Sequence, residues 1–165
     1  PQVAVWLETQ DREYIDTLYV TQAAAEGSYD FAPEEGRPEA LPVWSGLAHQ
    51  DADTVSSATT TEDAVSYGNT VVSGLGPGMY IVKLETNRSY DWNEAYTEDN
   101  SGVNGQPSIV YQAELRIGED ADTALFEPIG TGSVNGSDSR IRPGLEEIDT
   151  ALELFSTMEV RYIPE

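Results

Sequence analysis

Ile109-Val110-Tyr111-Gln112-Ala113-Glu114-Leu115-Arg116-Ile117 is the stretch whose reading decides the fold. In an extended chain successive side chains point to opposite faces. Ile109, Tyr111, Ala113, Leu115 and Ile117 therefore share one face, and Val110, Gln112, Glu114 and Arg116 share the other. One face is apolar and the other mostly polar, which predicts a strand over residues 108–117 with its apolar side against a core.

Upstream, residues 79–86 read as a central strand with Tyr80, Val82 and Leu84 on one face. It is entered through Gly74-Leu-Gly-Pro-Gly78, where glycine and proline suit a turn. Two apolar runs open the chain, residues 3–7 and 14–20, separated by polar Glu8-Thr-Gln-Asp-Arg12. They predict an antiparallel hairpin with a loop of about five residues. Further strands are expected at residues 70–72, 123–129 and 158–163, with a turn at 118–122. Leu145, Ile148, Leu152 and Phe155 recur at helical spacing and predict one short amphipathic helix near the C-terminus. Strands at this frequency with one helix predict an all-β protein. The expected architecture is an antiparallel β-sandwich of immunoglobulin or fibronectin type, a single domain over residues 1–165.

Two long connections interrupt the strands. Residues 23–68 are rich in Ala, Ser, Thr, Pro and acids, yet carry Tyr29, Phe31, Leu41, Val43, Trp44 and Leu47 as anchors. They predict an ordered excursion folded over the sheets rather than a disordered tail. Residues 87–107 form the second connection and carry Tyr90, Trp92 and Tyr96. A functional surface is expected where residues 44–61 meet residues 87–106. Trp44, His49 and Trp92 are its candidate binding residues; Trp6 and Tyr111 are expected in the core.

Composition narrows the function classes. The chain has 30 acids against 8 bases, a net charge of −22, a single lysine (Lys83), one histidine and no cysteine. Such a charge repels phosphate backbones and anionic lipid, so nucleic-acid and membrane-surface partners are not expected. The near absence of lysine favours a surface adapted to high salt, where screening relieves self-repulsion, over ordinary acidity in an exported protein. Without cysteine there are no disulfides and no thiolate chemistry. No apolar run is long enough for a membrane span. The first residues already read as a strand, so any export signal is expected to be absent from the chain as it stands.

Motifs for catalysis and metals are sparse. His-Glu-x-x-His, Gly-x-Ser-x-Gly and P-loop patterns are missing. Asp91-Trp-Asn93 opens like a calcium loop, but Ala95 and Tyr96 stand where a ligand and the turn glycine belong. A looser calcium set of Asp91, Glu94, Glu98 and Asp99 competes with a solvated acidic loop, which is the better reading. The chain is read as non-enzymatic, with no catalytic or metal-binding residues assigned.

Asp53-Thr-Val-Ser56-Ser57-Ala58-Thr59 is the one stretch that hints at cofactor chemistry. It resembles the short Asp-x-x-Ser/Thr-Gly-Ala-Thr signature in which a threonine hydroxyl carries the phosphate of FMN, with Ser57 standing in place of glycine. The resemblance implies FMN on Thr59, with Asp53, Ser56 and Ala58 completing the motif and a flavin transferase as partner. The same hydroxyls also suit a loop that hydrogen-bonds its own backbone, and that reading is preferred.

Several segments in order along the chain resemble the DUF2271 family of bacterial exported proteins. They are Val3-Ala-Val-Trp-Leu-Glu8, Thr17-Leu-Tyr-Val20, Leu41-Pro-Val-Trp44, Asp53 to Thr59, Gly78-Met-Tyr-Ile-Val-Lys-Leu-Glu85, Asn87-Arg-Ser-Tyr-Asp-Trp-Asn93, Gly102-Val-Asn-Gly-Gln-Pro-Ser-Ile-Val-Tyr111 and Ala151-Leu-Glu-Leu154. The resemblance implies a periplasmic or extracellular β-sandwich in the company of membrane redox proteins and flavin transferases. It carries no established activity. The expectation is an accessory or binding domain, with a covalent FMN carrier as the alternative.

Overall fold

The computed structural model describes residues 1–21, 23–24, 37–47, 56–57 and 74–164. These residues build a β-rich fold with antiparallel sheets and few helices. The strands are β1 (Gln2–Thr9), β2 (Tyr14–Thr21), β3 (Ser56–Ser57), β4 (Gly78–Asn87), β5 (Ile109–Ile117), β6 (Asp122–Leu125), β7 (Glu127–Thr131) and β8 (Glu159–Tyr162). One sheet has six strands in the order β3-β2-β1-β4-β5-β7; β6 and β8 pair separately. All named pairings are antiparallel except β3 on β2, where Ser56 and Ser57 run beside Val20 and Thr21 in the same direction.

The opening hairpin forms as expected, with a tighter loop at residues 10–13. Thr9 closes it by accepting from the Arg12 amide (2.9 Å) and donating to the Glu13 carbonyl (2.9 Å). β4 lies at the centre, between β1 and β5, and is buried on both faces from Ile81 to Asn87. Alternation along β5 holds: Ile109, Tyr111, Ala113, Leu115 and Ile117 are buried, whereas Glu114 and Arg116 are exposed. Val110 is the departure from a polar outer face, since it too is buried.

The expected strand at residues 123–129 is two strands in different sheets. The chain changes sheet at Phe126, whose amide donates to the Met158 carbonyl (3.0 Å) and whose ring packs against both neighbouring apolar clusters. β7 then pairs with β5 as the outer strand, with Pro128 opposite Tyr111 next to a register shift. Proline has no N–H to give to a further strand, so an outer position suits it. The expected C-terminal amphipathic helix is also corrected. Only Thr150–Glu153 is helical, as a single 3-10 turn, because Asp149 folds its carboxylate onto the Thr150 amide (2.5 Å) and ends the preceding turn. The apolar positions still face inward: Ile148 is buried, and Leu145 and Leu152 pack beside it. The expected strand at 70–72 lies outside the described residues.

Two unlike faces result. Val3, Val5, Leu7, Val82, Leu84, Ile109, Tyr111 and Leu115 make an aliphatic face, covered by residues 145–152 at one end and by β6 and β8 at the other. On the opposite face Ala4, Trp6, Val20 and Val110 pack against Leu41, Val43 and Trp44, the last two in a short helix, Pro42–Leu47. The anchors read from residues 41–47 therefore do dock on the sheet. Among the described residues no helix is long and apolar enough to cross a membrane.

Candidate functional site

The face beneath helix Pro42–Leu47 holds charges inside the protein. Lys83 reaches both carboxylate oxygens of Glu8, at 3.0 and 2.8 Å, and the Trp6 indole N–H donates to the same carboxylate at 2.7 Å. Both charged side chains are buried. Glu85 is fully buried one alternation further along β4. It accepts from the amides of Val43 (3.2 Å) and Trp44 (2.8 Å) and from the Ser108 hydroxyl (2.6 Å). Burial pushes its carboxyl up to about 7, against the opposing pull of those three donors. Trp44 completes the attachment by donating its indole N–H to the Thr17 hydroxyl (2.9 Å). This carboxylate ties helix to sheet and satisfies two amides that a helix start leaves without partners.

The connection between β4 and β5, residues 88–108, begins beside this seam. Its framework is a set of buried polar side chains: Asn87, Asp91, Asn104 and Gln106. Asp91 accepts from Arg88 (2.6 Å) and from the Thr150 hydroxyl (2.6 Å), and its carbonyl accepts from the Gln106 amide (2.9 Å). Gln106 then spans to the C-terminal segment, donating to Thr150 (2.8 Å) and accepting from the Asp149 amide (2.9 Å). Gly105 has φ +72, and a Cβ there would lie 2.6 Å from the Asp91 carbonyl, so only glycine lets the two backbones close on each other. Arg37 ties the earlier excursion to this loop through Ser89 and through Asn104 (3.3 Å). Helix Glu98–Ser101 is capped reciprocally by Thr97 and Asn100.

On this framework stand exposed apolar side chains. Tyr90 is 65 % exposed, Val103 45 % and Trp92 40 %. They are neighbours: the Tyr90 amide donates to the Val103 carbonyl (2.9 Å), and the Trp92 indole N–H donates to the Gly102 carbonyl (2.8 Å). The rings of Tyr90 and Trp92 lie 5.6 Å apart with planes at 76°. Tyr90 has φ +62, a left-handed conformation that a bulky residue rarely adopts. Glu94, Glu98 and Asp99 are exposed around the same loop.

The candidate residues are thus separated by the fold. Trp44 is buried, as are Trp6 and Tyr111, whereas Trp92 is exposed. Of residues 44–61, Trp44 bonds Glu85 and Thr17, which lie outside residues 87–106; it is Arg37, upstream of the expected stretch, that reaches Ser89 and Asn104. Ser56 lies in β3; His49, Asp53, Ala58 and Thr59 lie outside the described residues. β3 pairs with the end of β2 nearest Gln2, the same end of the sheet from which loop 88–108 leaves. Asp91, part of the looser calcium set that ranks below a solvated acidic loop, is turned inward to Arg88 and Thr150, while Glu94, Glu98 and Asp99 are exposed. Among the described residues no three acidic or histidine side chains converge to hold a metal. Val103 and Glu85 went unnoticed in the sequence; neither carries a motif. Neither a family model, nor a curated protein, nor a solved structure matches the chain.

Proposed function

We propose that the chain is a non-enzymatic accessory or binding domain, periplasmic or extracellular, that works beside a membrane redox system and makes its contacts through loop 88–108. The observation that carries this reading is Tyr90, held at positive φ with most of its ring in water. A non-glycine residue in that region costs roughly 1–3 kcal/mol, and such positions cluster at functional sites. Here the surrounding hydrogen bonds from Asp91, Gln106 and Thr150 hold the loop in place. We read the two sheets as facing parts of an incomplete β-sandwich, with the resemblance to DUF2271 supplying location and redox company. A photo-crosslinking phenylalanine analogue replacing Trp92 tests the reading in the native cell envelope. A discrete adduct is expected there and not from the same analogue at Leu125; equal labelling at both positions would refute it.

A second reading, the covalent flavin carrier, draws support from the placement of Ser56 and Ser57 at the loop 88–108 end of the sheet. With FAD as donor, the Thr59 hydroxyl oxygen would bond to the FMN phosphorus, the phosphoanhydride would break, AMP would leave and the proton would pass to solvent. Coexpression with a flavin transferase and intact-mass measurement decides it. An FMN adduct lost in Thr59→Ala supports the carrier, and unmodified protein removes it.

A further inference from the structure

We infer that the Tyr90–Trp92 corner docks a positively charged, arginine- or lysine-bearing segment of a partner protein. This inference rests on loop 88–108 being the contact surface and names the chemistry of what it contacts. The rings of Tyr90 and Trp92 meet edge to face, 5.6 Å apart with planes at 76°, so their exposed parts stand as two walls rather than one flat platform. Such walls suit a cation, which is drawn to the negative face of an aromatic ring, better than a flat sugar ring. The indole N–H of Trp92 is already committed to Gly102, so this ring offers its π-system rather than a donor.

Charge around the corner points the same way. Glu94, Glu98 and Asp99 are exposed on the loop, and Asn93 holds the Glu147 carbonyl beside it (2.9 Å). Arg88 is the only base among residues 88–108, and Asp91 pairs with it at 2.6 Å; Arg37, which docks on the loop from outside it, pairs with Glu39 at 2.8 Å. The loop therefore presents negative charge, as does the chain as a whole at −22. Anionic ligands are repelled, while a cationic segment is steered in from beyond contact distance and then held by the rings. Val103, exposed and bonded through its backbone to Tyr90, adds apolar surface for the aliphatic stem that arginine and lysine both carry.

The test titrates the folded chain with hexa-arginine, hexa-glutamate and maltohexaose at about 150 mM salt, where contacts beyond roughly 8 Å are screened. Amide and indole resonances are followed by NMR. Hexa-arginine is expected to shift Tyr90, Trp92 with its indole N–H, and Val103, with no response to hexa-glutamate. Trp92→Ala and Tyr90→Ala leave net charge unchanged and should each weaken binding about tenfold; a combined Glu94→Gln, Glu98→Gln, Asp99→Asn variant keeps the rings and should weaken it several-fold. Thermal melts establish that each variant is folded, and the charge variant tests the idea if an aromatic one is not. Maltohexaose shifting these residues while hexa-arginine does not would overturn the cationic partner and leave the loop as a binding surface. Hexa-arginine spreading over the acidic surface, with Trp92→Ala binding within twofold of the parent, would overturn the inference and count against the loop itself.

Discussion

The two faces of the central sheet are held by different physics. On the aliphatic side Leu7, Val82 and Leu115 meet Ala124, Phe126 and Val160 through apolar contact. On the other side the same strands present Glu8, Lys83 and Glu85 to the interior, where a helix start, an indole and a hydroxyl satisfy them. Apolar contact is non-directional and tolerates small shifts, whereas buried hydrogen bonds fix one arrangement and are costly when half made. The helix Pro42–Leu47 is thus held in register by its polar seam, while β6 and β8 are held by area; residues 145–152 combine apolar contact with the bonds of Asp149 and Thr150 to Gln106 and Asp91.

The largest effect should come from splitting the buried ion pair. Lys83→Ala leaves Glu8 charged and alone inside the protein and is expected to cost about 3–5 kcal/mol in urea denaturation, whereas Glu8→Leu with Lys83→Met should recover most of that loss. A cost under about 1 kcal/mol would mean that water reaches the pair, and the contrast between faces would fail. On the aliphatic side Leu115→Ala should cost about 2–5 kcal/mol through lost burial and a cavity, with no dependence on pH.

The third test uses pH and Glu85. Its carboxyl sits near 7 in the folded chain against an ordinary value of 4.5. The unfolded chain therefore loses this proton first as pH rises. Stability from this group is complete below about 4.5 and is lost as pH climbs through about 7, by at most about 3 kcal/mol. Glu85→Gln should flatten that slope and cost about 1–3 kcal/mol at low pH, because an amide cannot satisfy all three donors. An unchanged slope would show that Glu85 does not titrate in this window. Asp138, held low by Arg142, and Asp149, held low by the Thr150 amide, titrate below it and do not blur the result. The smallest effect is expected from Thr17→Val, which removes the acceptor of the Trp44 indole and the partner of the Tyr14 hydroxyl, at about 1 kcal/mol. No loss at all would mean that packing, not the seam, places Trp44.

How far the sequence could be read follows from the same contrast. The aliphatic face was legible because β5 alternates and β1, β2 and β4 carry apolar runs of the right length. The polar face was not. Glu8, Lys83 and Glu85 occupy positions that a period-two pattern assigns to solvent, and only a helix more than thirty-five residues away in the chain covers Glu85. Residues 123–129 looked like one strand because nothing local marks Phe126 as the point where pairing partners change. Trp44 and Trp92 read alike, each in a long connection beside acids, yet one is inside and one outside. The difference lies in their neighbours: Leu41 and Val43 dock with Trp44, whereas beside Trp92 it is Asp91 that turns inward. The loop's framework of Asn104, Gln106 and Thr150 depends on residues distant in sequence and left no local trace.

Pro128 in β7 bears on how the protein behaves in company. An outer strand with free amides is a template on which other chains can grow, and a ring nitrogen without hydrogen interrupts that template. Glu127 beside it is exposed and adds charge repulsion between copies. On this side of the sheet, concentration alone should not drive molecules to add to one another edge to edge.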